Sequence, residues 1–587
     1  MKFRLSAFAA ALVCCISCVE MNPLVGGSLI PIENTSTVCV SRIPIQDIEL
    51  KAADSLSGYN KTKIIIGSIR DELFGLTTRE SVVTLVPVFL DKDTTDISAF
   101  IRDSLDVHYR NFHFAVAADT NSVADVLDRN ILQNVRVYAL EQALNPDRDF
   151  DINDVAGHVK ADRGTLICKG TPIINGHDSL SFNFTDDFAK KFFTLAKEDL
   201  RSYGSYVSKY PGILLSTDQA SAGGRINMFE LQLDAESQGN YALLTFDYTG
   251  HENDGKGGKK EVAKDSSFLF YLSPTDIYDV DSLMTNSAKN SYPQYCLNLT
   301  HQERSASLSG KATDSIIIEG GGGIKPVITA KTLRDLTRET LRERIAAEYG
   351  ITEAEVTDEQ ISAVVINKAT ISLPFEYTDA DYEEMYKMPV RLSPTCRMSV
   401  TDTTSGKVGP REAFRTISFN SLTDSSNSNE NQGDIDRHNL AYTPDITHHI
   451  QELIRIKDSA DSDKMKKVIG GDYDVWLFIM AYETVTTTTS SDSDISEYYQ
   501  YLAYQSYYNQ MYGGGYGYGG YGYGDPYSNY YSYMMAAMYA GGSSTSTSSE
   551  LQLDKGRYYK AFLNGPSSTN SRKPELKLTY SIPNIEK

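Results

Sequence analysis

The chain reads as a mostly β protein: two β-sandwich or jelly-roll-like domains with helical insertions and a Tyr/Gly-rich low-complexity loop. Three observations predict this. Short runs of alternating apolar and polar residues recur along the 587 residues, the period of half-buried strands. Clusters of Gly, Pro, Asn and Asp separate those runs as turns do. Helical spacing is confined to a few segments, so helices enter as insertions and not as alternating βα units.

The first segment is a leader. Residues 1–20 read MKFRLSAFAAALVCCISCVE, with Lys2 and Arg4 in front of an apolar run over 8–13 and Ser17 before Cys18. That run is too short to span a bilayer as a helix. A small residue followed by cysteine is the ending of a bacterial lipoprotein signal. The expectation is a signal peptide over 1–17, cleavage before Cys18, acylation of its thiol and a tether over 18–35. The protein would then be attached to the outer membrane through Cys18. An ordinary secretory leader with passive cysteines also fits, and Cys15 stands where leucine is usual. Only Glu20 follows Cys18 closely, a weak acidic export signal, so cell surface and periplasmic face both stay open.

Strands are expected over 36–42, 64–66, 81–89, 112–117, 135–139, 179–184, 212–216, 228–233, 242–248 and 267–272. In 186–203, Phe188, Phe192 and Leu195 stand at helical spacing, which predicts an amphipathic helix. Gly320–Gly323 closes this half as a flexible connector. A charged helix over 332–349 follows, with Leu333, Leu336, Leu341 and Ile345 near one face. Then come strands over 364–375 and 390–392, a helix over 446–457, and strands over 475–482, 558–563 and 575–581. The domains fall at 36–315 and 316–587, with the low-complexity insertion over 491–550.

A net charge of −21, or −23 once Lys2 and Arg4 leave with the signal, repels phosphate backbones and argues against a nucleic-acid partner. Four cysteines besides Cys18 remain after processing: Cys39, Cys168, Cys296 and Cys396. At most one disulfide is expected, with free buried thiols the alternative, and the pairing is not readable from spacing. No CxxC pair survives to hold zinc.

Residues 498–542 hold 16 of the 38 tyrosines around GGGYGYGGYGYG at 513–524. Tyrosines give rigid amphipathic contact area and stack on sugars or sit at membrane interfaces. Tyr516, Tyr518, Tyr521 and Tyr523 are therefore the candidate binding residues, set against a plain solvated loop. Chemistry-bearing motifs are otherwise missing: no GxSxG or HExxH appears. The GxGxxG spacing at Gly515, Gly517 and Gly520 follows no apolar strand. Residues 250–256 have phosphate-loop spacing, but Gly257 replaces the Ser/Thr that holds magnesium. His448 and His449 are adjacent and point about 100° apart on a helix, which suits a surface pair and not a shared metal. Asp147, Asp149, Asp151 and Asp154 alternate as in a calcium loop, but Ile152 and His158 stand where an EF-hand wants Gly and Glu. No catalytic residue, metal or cofactor is expected. The chain reads as a non-enzymatic envelope protein that binds a protein or other macromolecule, with a carbohydrate-binding surface protein as the alternative.

Several segments carry a resemblance: Cys18 followed by GGSLIP at 26–31, IGSIRDELFG at 66–75, VRVYALEQALNPDRDF at 135–150, YPGILLS at 210–216, LLTFDY at 243–248, VINKATISLPF at 365–375 and ELKLTYS at 575–581. In this order the chain resembles a large family of Bacteroidota lipoproteins, the domain of unknown function four-two-seven-zero. Gly67, Asp71, Phe74 and Gly75 match its Gly-x-x-x-Asp-x-x-Phe-Gly signature, and Phe150 stands where Tyr is more usual. The resemblance implies a mostly β lipoprotein and supplies no catalytic residue. The last third, with VINKATISLPF, DITHHIQELI, VWLFIMAY and PELKLTYS, is also similar to jelly-roll modules of the DNRLRE carbohydrate-binding type, which implies sugar stacking on exposed aromatics.

Overall fold

The computed structural model describes residues 36–53, 56, 58, 63–88, 105–119, 131–143, 159–176, 178–200, 203–230, 241–253, 259–271, 296–304, 308–376, 388–400, 411–416, 433–458, 462–489 and 544–584. These residues form mostly strands in several antiparallel sheets.

In chain order the first strands are β1 (Ser36–Pro44), β2 (Glu49–Ala52), β3 (Lys63–Asp71), β4 (Gly75–Val83), β5 (Val86–Val88), β6 (Leu105–Val116), β7 (Gln133–Leu140), β8 (Ala161–Leu166), β9 (Ile173–Ile174) and β10 (Leu180–Asn183). Helices α1 (Asp186–Lys191) and α2 (Tyr203–Lys209) precede β11 (Ile213–Thr217), β12 (Gly223–Glu230), β13 (Tyr241–Asn253), β14 (Lys259–Tyr271) and β15 (Cys296–Glu303). Two sheets face each other here. One runs β12-β3-β4-β11-β7-β8 and the other β10-β6-β13-β14-β5. Between them lie Ile64, Ile66, Val135, Val137, Ile213 and Leu215 from the first, and Phe112, Phe114, Phe182, Leu244 and Phe270 from the second. Inward apolar positions at alternate residues give such a sandwich its core.

Strand β3 is apolar on both faces. Ile64 and Ile66 enter this sandwich, while Ile65 and Ile69 pack into a second core. An unbroken KIIIGSI run is what a strand buried on both faces requires.

The second core is built from β16 (Gly310–Lys311), β17 (Ser315–Glu319), β18 (Ile324–Ile328), α3 (Ala330–Tyr349), α4 (Asp358–Ala363), β19 (Val365–Pro374), β20 (Leu392–Val400), β21 (Arg411–Thr416), β22 (Ile435–Asp436), β23 (Ala441–Tyr442), α5 (Thr447–Arg455), α6 (Asp463–Gly470), β24 (Val475–Thr489), β25 (Ser544–Leu553), β26 (Lys560–Asn564) and β27 (Glu575–Pro583). Its sheets run β1-β27-β19-β23-β22 and β16-β2-β18-β24-β20-β21, with β25 on β24 and β17 on β26. Leu333, Leu341 and Ile345 of α3 and Leu453 of α5 cover Ile43, Leu576, Leu578 and Ile582. The first strand pairs with the last, from Ser36↔Pro583 to Pro44↔Glu575, and β2 pairs with β18. Hydrogen bonding thus joins β1 to β27, and β2 to β16 and β18.

Helix α3 starts where Thr329 Oγ1 accepts from the Thr332 amide at 3.1 Å and stops at Gly350, whose φ of 66° is left-handed. Its Arg334 and Arg338 lie one turn apart on the buried side. They donate to the Ile456 and Ile454 carbonyls at the C-terminal end of α5, at 3.2 and 2.7 Å, a favourable place for cations.

The helix expected over 186–203 is broken. After α1 the chain tightens through Phe192–Thr194 and Leu195 is extended. The aromatic core explains the break. Phe188 stacks on Phe112 and Phe192 meets it edge-on, while neighbouring Phe193 packs on Tyr109 and Phe246. Thr194 then closes a turn on the Lys191 carbonyl at 2.8 Å, and Asp199 Oδ2 receives the Ala196 amide at 2.9 Å.

Gly320–Gly323 is not a flexible connector. It is a buried turn between β17 and β18. A Cβ on Gly320 would strike the Arg557 carbonyl, one on Gly321 the Arg79 guanidinium, and one on Gly323 the Glu319 carboxylate. Glycine is there for close approach, which composition alone does not distinguish from flexibility.

Candidate functional site

The residue types that carry chemistry gather where the sandwich meets the second core. Five elements contribute: the β3–β4 hairpin, β15, the β17–β18 turn, the segment after β25, and β26.

Asp71 closes the hairpin. Its Oδ1 accepts from the Leu73 and Phe74 amides at 2.8 and 2.9 Å, and its Oδ2 meets Lys560 Nζ at 2.7 Å. Burial raises its pKa, but the Lys560 bond and the two amides outweigh that and hold the carboxyl below its ordinary range. Gly67 and Gly75 of the same segment have φ of 148° and 75° and pass against the Arg225 and Glu303 carbonyls, where a side chain would collide. Gly67, Asp71, Phe74 and Gly75 therefore build one hairpin, and Asp71 ties it to β26.

Beside it lies a buried ionic cluster. Glu319 receives Gln302 Nε2 at 3.1 Å, the Ile324 amide at 3.0 Å and Arg304 Nη2 at 3.3 Å. Lys325 Nζ donates to the carbonyls of Glu319, Gly321 and Gly323, the last two at 2.9 and 3.3 Å, and stands 5.6 Å from the centre of the Phe478 ring. Arg79 Nη1 reaches the Lys555 carbonyl at 3.3 Å. Asp554 accepts from the Gly556 and Arg557 amides and from Tyr559 Oη. Arg79 Nε, Arg304 Nη1 and Tyr558 Oη have no hydrogen-bond partner among the described residues. Burial lowers Arg79 to about 10 against the pull of Glu319 and Asp554. Burial likewise lowers Lys325 to about 7, with Glu319 opposing and Arg304 and Arg79 adding to it.

A lysine near 7 in a cluster of charges is a pattern of active sites. The geometry here does something else. Three carbonyls around one Nζ use all three protons of an ammonium, and Arg79, Glu319 and Lys325 are sealed from solvent. The cluster holds the two cores together through charge-assisted bonds.

Sequence reasoning missed these residues. The readable signal was Glu319 and Lys325 within IIIEGGGGIKPVI, two charges inside an otherwise apolar strand pair.

Of the residues read as sites from the sequence, Cys18 and Tyr516, Tyr518, Tyr521 and Tyr523 lie outside the described residues. So do Gly515, Gly517 and Gly520, the acidic loop with Asp147, Asp149, Asp151 and Asp154, and 254–258. His449 is not half of a surface pair. It is buried, donates from Nε2 to the Tyr473 carbonyl at 3.0 Å, and its Nδ1 has no partner among the described residues. Burial lowers it to about 4; the Tyr473 bond opposes this and His448 adds to it. Cys39, Cys168, Cys296 and Cys396 are free and buried. Burial pushes the Cys296 thiol up to about 12, with Ser81 opposing, which makes it a poor nucleophile.

Among the described residues no three His, Cys, Asp or Glu side chains gather to hold a metal ion, and no helix is long and apolar enough to cross a membrane. Comparison of the chain with family models, with curated proteins and with solved structures finds no match in any of the three.

Proposed function

We propose that this protein is an outer-membrane lipoprotein, anchored at Cys18, with a non-enzymatic binding role in the cell envelope. The observation that carries the reading is the β24–β25 ribbon. Its register runs without a slip from Met480↔Leu553 to Thr489↔Ser544, so the Tyr-rich insertion begins and ends on adjacent residues of one hairpin. The base of β24 is held between β18 and β20. That arrangement presents a binding segment from a braced scaffold, as loops on rigid sheets do. The leader supports the anchor, and the membrane and a protein or glycan ligand are the proposed partners.

The test is retention of the full chain on outer-membrane fragments and on a panel of soluble and insoluble glycans. Retention by membrane fragments that survives glycan competition supports the reading. Retention by a glycan alone moves the assignment to a carbohydrate-binding surface protein. No retention by either overturns both.

A further inference from the structure

We propose that the outer face of the β1–β27–β19 sheet rests on an anionic phospholipid surface, with Val38, Val40 and Val365 at the interface and Arg42, Lys368 and Lys577 against headgroup phosphates. This rests on the anchor at Cys18.

The register builds the face row by row. Val38 lies across from Ser581, which faces Val365; Val40 across from Thr579, which faces Lys368; Arg42 across from Lys577, which faces Thr370. The opposite side of the sheet is buried in the second core through Cys39, Ile43, Leu578, Tyr580 and Ile366. Among the described residues nothing covers the outward side: Val38 is 64% exposed, Val40 70% and Val365 51%. Three exposed β-branched apolar residues on two strands, one of them the edge strand, form a patch and not scattered singles.

The sign of the charge singles out the occupant. The chain carries −21 overall, yet this face gathers Arg42, Lys577 and Lys368. The carboxylate beside them is Glu575, 4.0 Å from Arg42 Nη1 and 3.3 Å from Lys577 Nζ. Exposed apolar side chains with cations in the neighbouring rows are the chemistry that binds an anionic interface. A positive patch on an acidic protein also orients it toward that surface.

The chain length agrees. Ser36, the first residue of β1, follows Cys18 by 18 residues, which reach at most about 60 Å fully extended. A tether that short keeps β1 close to the bilayer and gives a weak surface contact a high effective concentration.

The experiment has two arms on the full mature chain. In the first, the acylated protein carries Val365→Cys with a bimane label and is reconstituted in phosphatidylcholine vesicles with or without phosphatidylglycerol, with nitroxide lipid as quencher. The four native cysteines are buried and leave the new thiol as the reactive one. Quenching at least twofold stronger on the anionic vesicles, abolished by Val38→Asp with Val40→Asp, is expected. Equal quenching on both vesicles, or none, overturns the proposal. In the second arm, the Cys18→Ala chain is floated with the same vesicles. Partition onto anionic vesicles is expected to fall at least tenfold in Arg42→Glu with Lys577→Glu, since each cation near such a surface contributes roughly fivefold. If Cys18 proves unacylated by mass spectrometry, the anchor reading fails while this arm still tests the face. Concentration-dependent dimerisation of the Cys18→Ala chain that Val38→Asp abolishes, without vesicle binding, assigns the face to a second copy and overturns the proposal.

Discussion

Glu319 and His449 show how much single buried groups decide. Replacing Glu319 by Gln leaves Arg304 and Arg79 without their carboxylate in a sealed site. Breaking a buried pair this way costs about 3–5 kcal/mol, so the urea midpoint of Glu319→Gln should fall far more than that of a surface Glu→Gln. His449 works through pH. Its folded pKa, about 4, lies below the ordinary 6.5, so the unfolded chain binds the proton more readily. The stability from keeping His449 neutral is complete above pH 6.5 and drains away as pH falls toward 4, about 3 kcal/mol over that window. In His449→Gln, whose amide can still donate to Tyr473, the slope between pH 6.5 and 4 should flatten in urea titrations. Asp71 titrates on the other side. Its lowered pKa contributes stability above the ordinary 3.8 that is lost as pH falls through the folded value. Asp71→Asn should therefore lose about 1–3 kcal/mol at neutral pH and show a shallower acid limb.

At the scale of elements, glycines divide by what surrounds them. Gly320→Ala meets the Arg557 carbonyl and the Tyr559 nitrogen, both backbone, and should cost about 3 kcal/mol. Gly470 ends α6 with nothing within 4 Å of a Cβ; Gly470→Ala should raise stability by about 0.5–1 kcal/mol. Thermal unfolding of the two variants separates the cases. The same contrast explains what the sequence revealed. The period of β27, ELKLTYSIP, with Leu576, Leu578, Tyr580 and Ile582 inward, and the Leu333, Leu341 and Ile345 stripe of α3 were legible because one face decides each. Gly320–Gly323 was misread because the residues that crowd Gly320 and Gly321, Arg557 and Arg79, lie more than 230 positions away along the chain. The break after α1 was hidden because two adjacent phenylalanines serve different neighbours, a tertiary demand that overrides local spacing. Strand β15 was missed entirely; its role is to pair with β4, which no local pattern announces.

For the whole molecule, the chain closes on itself. Strand β1 pairs with β27, and Ile65, Ile69, Ile226 and Met228 of the sandwich share a core with Tyr558 and Tyr559. With Asp71–Lys560 and the Glu319 cluster across the same junction, the two cores should unfold in one transition, visible as coincident changes at the lone Trp476 and in the far-ultraviolet signal. Under the proposed reading this braced body carries two functional connections, the tether into β1 and the insertion on β24–β25, as a display scaffold would. We propose that ligand binding belongs to the insertion and membrane contact to the outer face of the β1–β27–β19 sheet, and neither to the sealed polar junction.

The most direct test of that claim is to replace residues 490–543 by a four-residue turn joining Thr489 to Ser544 in the Cys18→Ala chain and to measure retention on immobilised, lipid-free outer-membrane proteins and glycans beside the melting temperature. The account predicts that retention is lost while the melting temperature stays within a few degrees, because the replaced segment lies beyond the last paired residues of the ribbon. Undiminished retention by the shortened chain would contradict it and place the binding surface on the body itself.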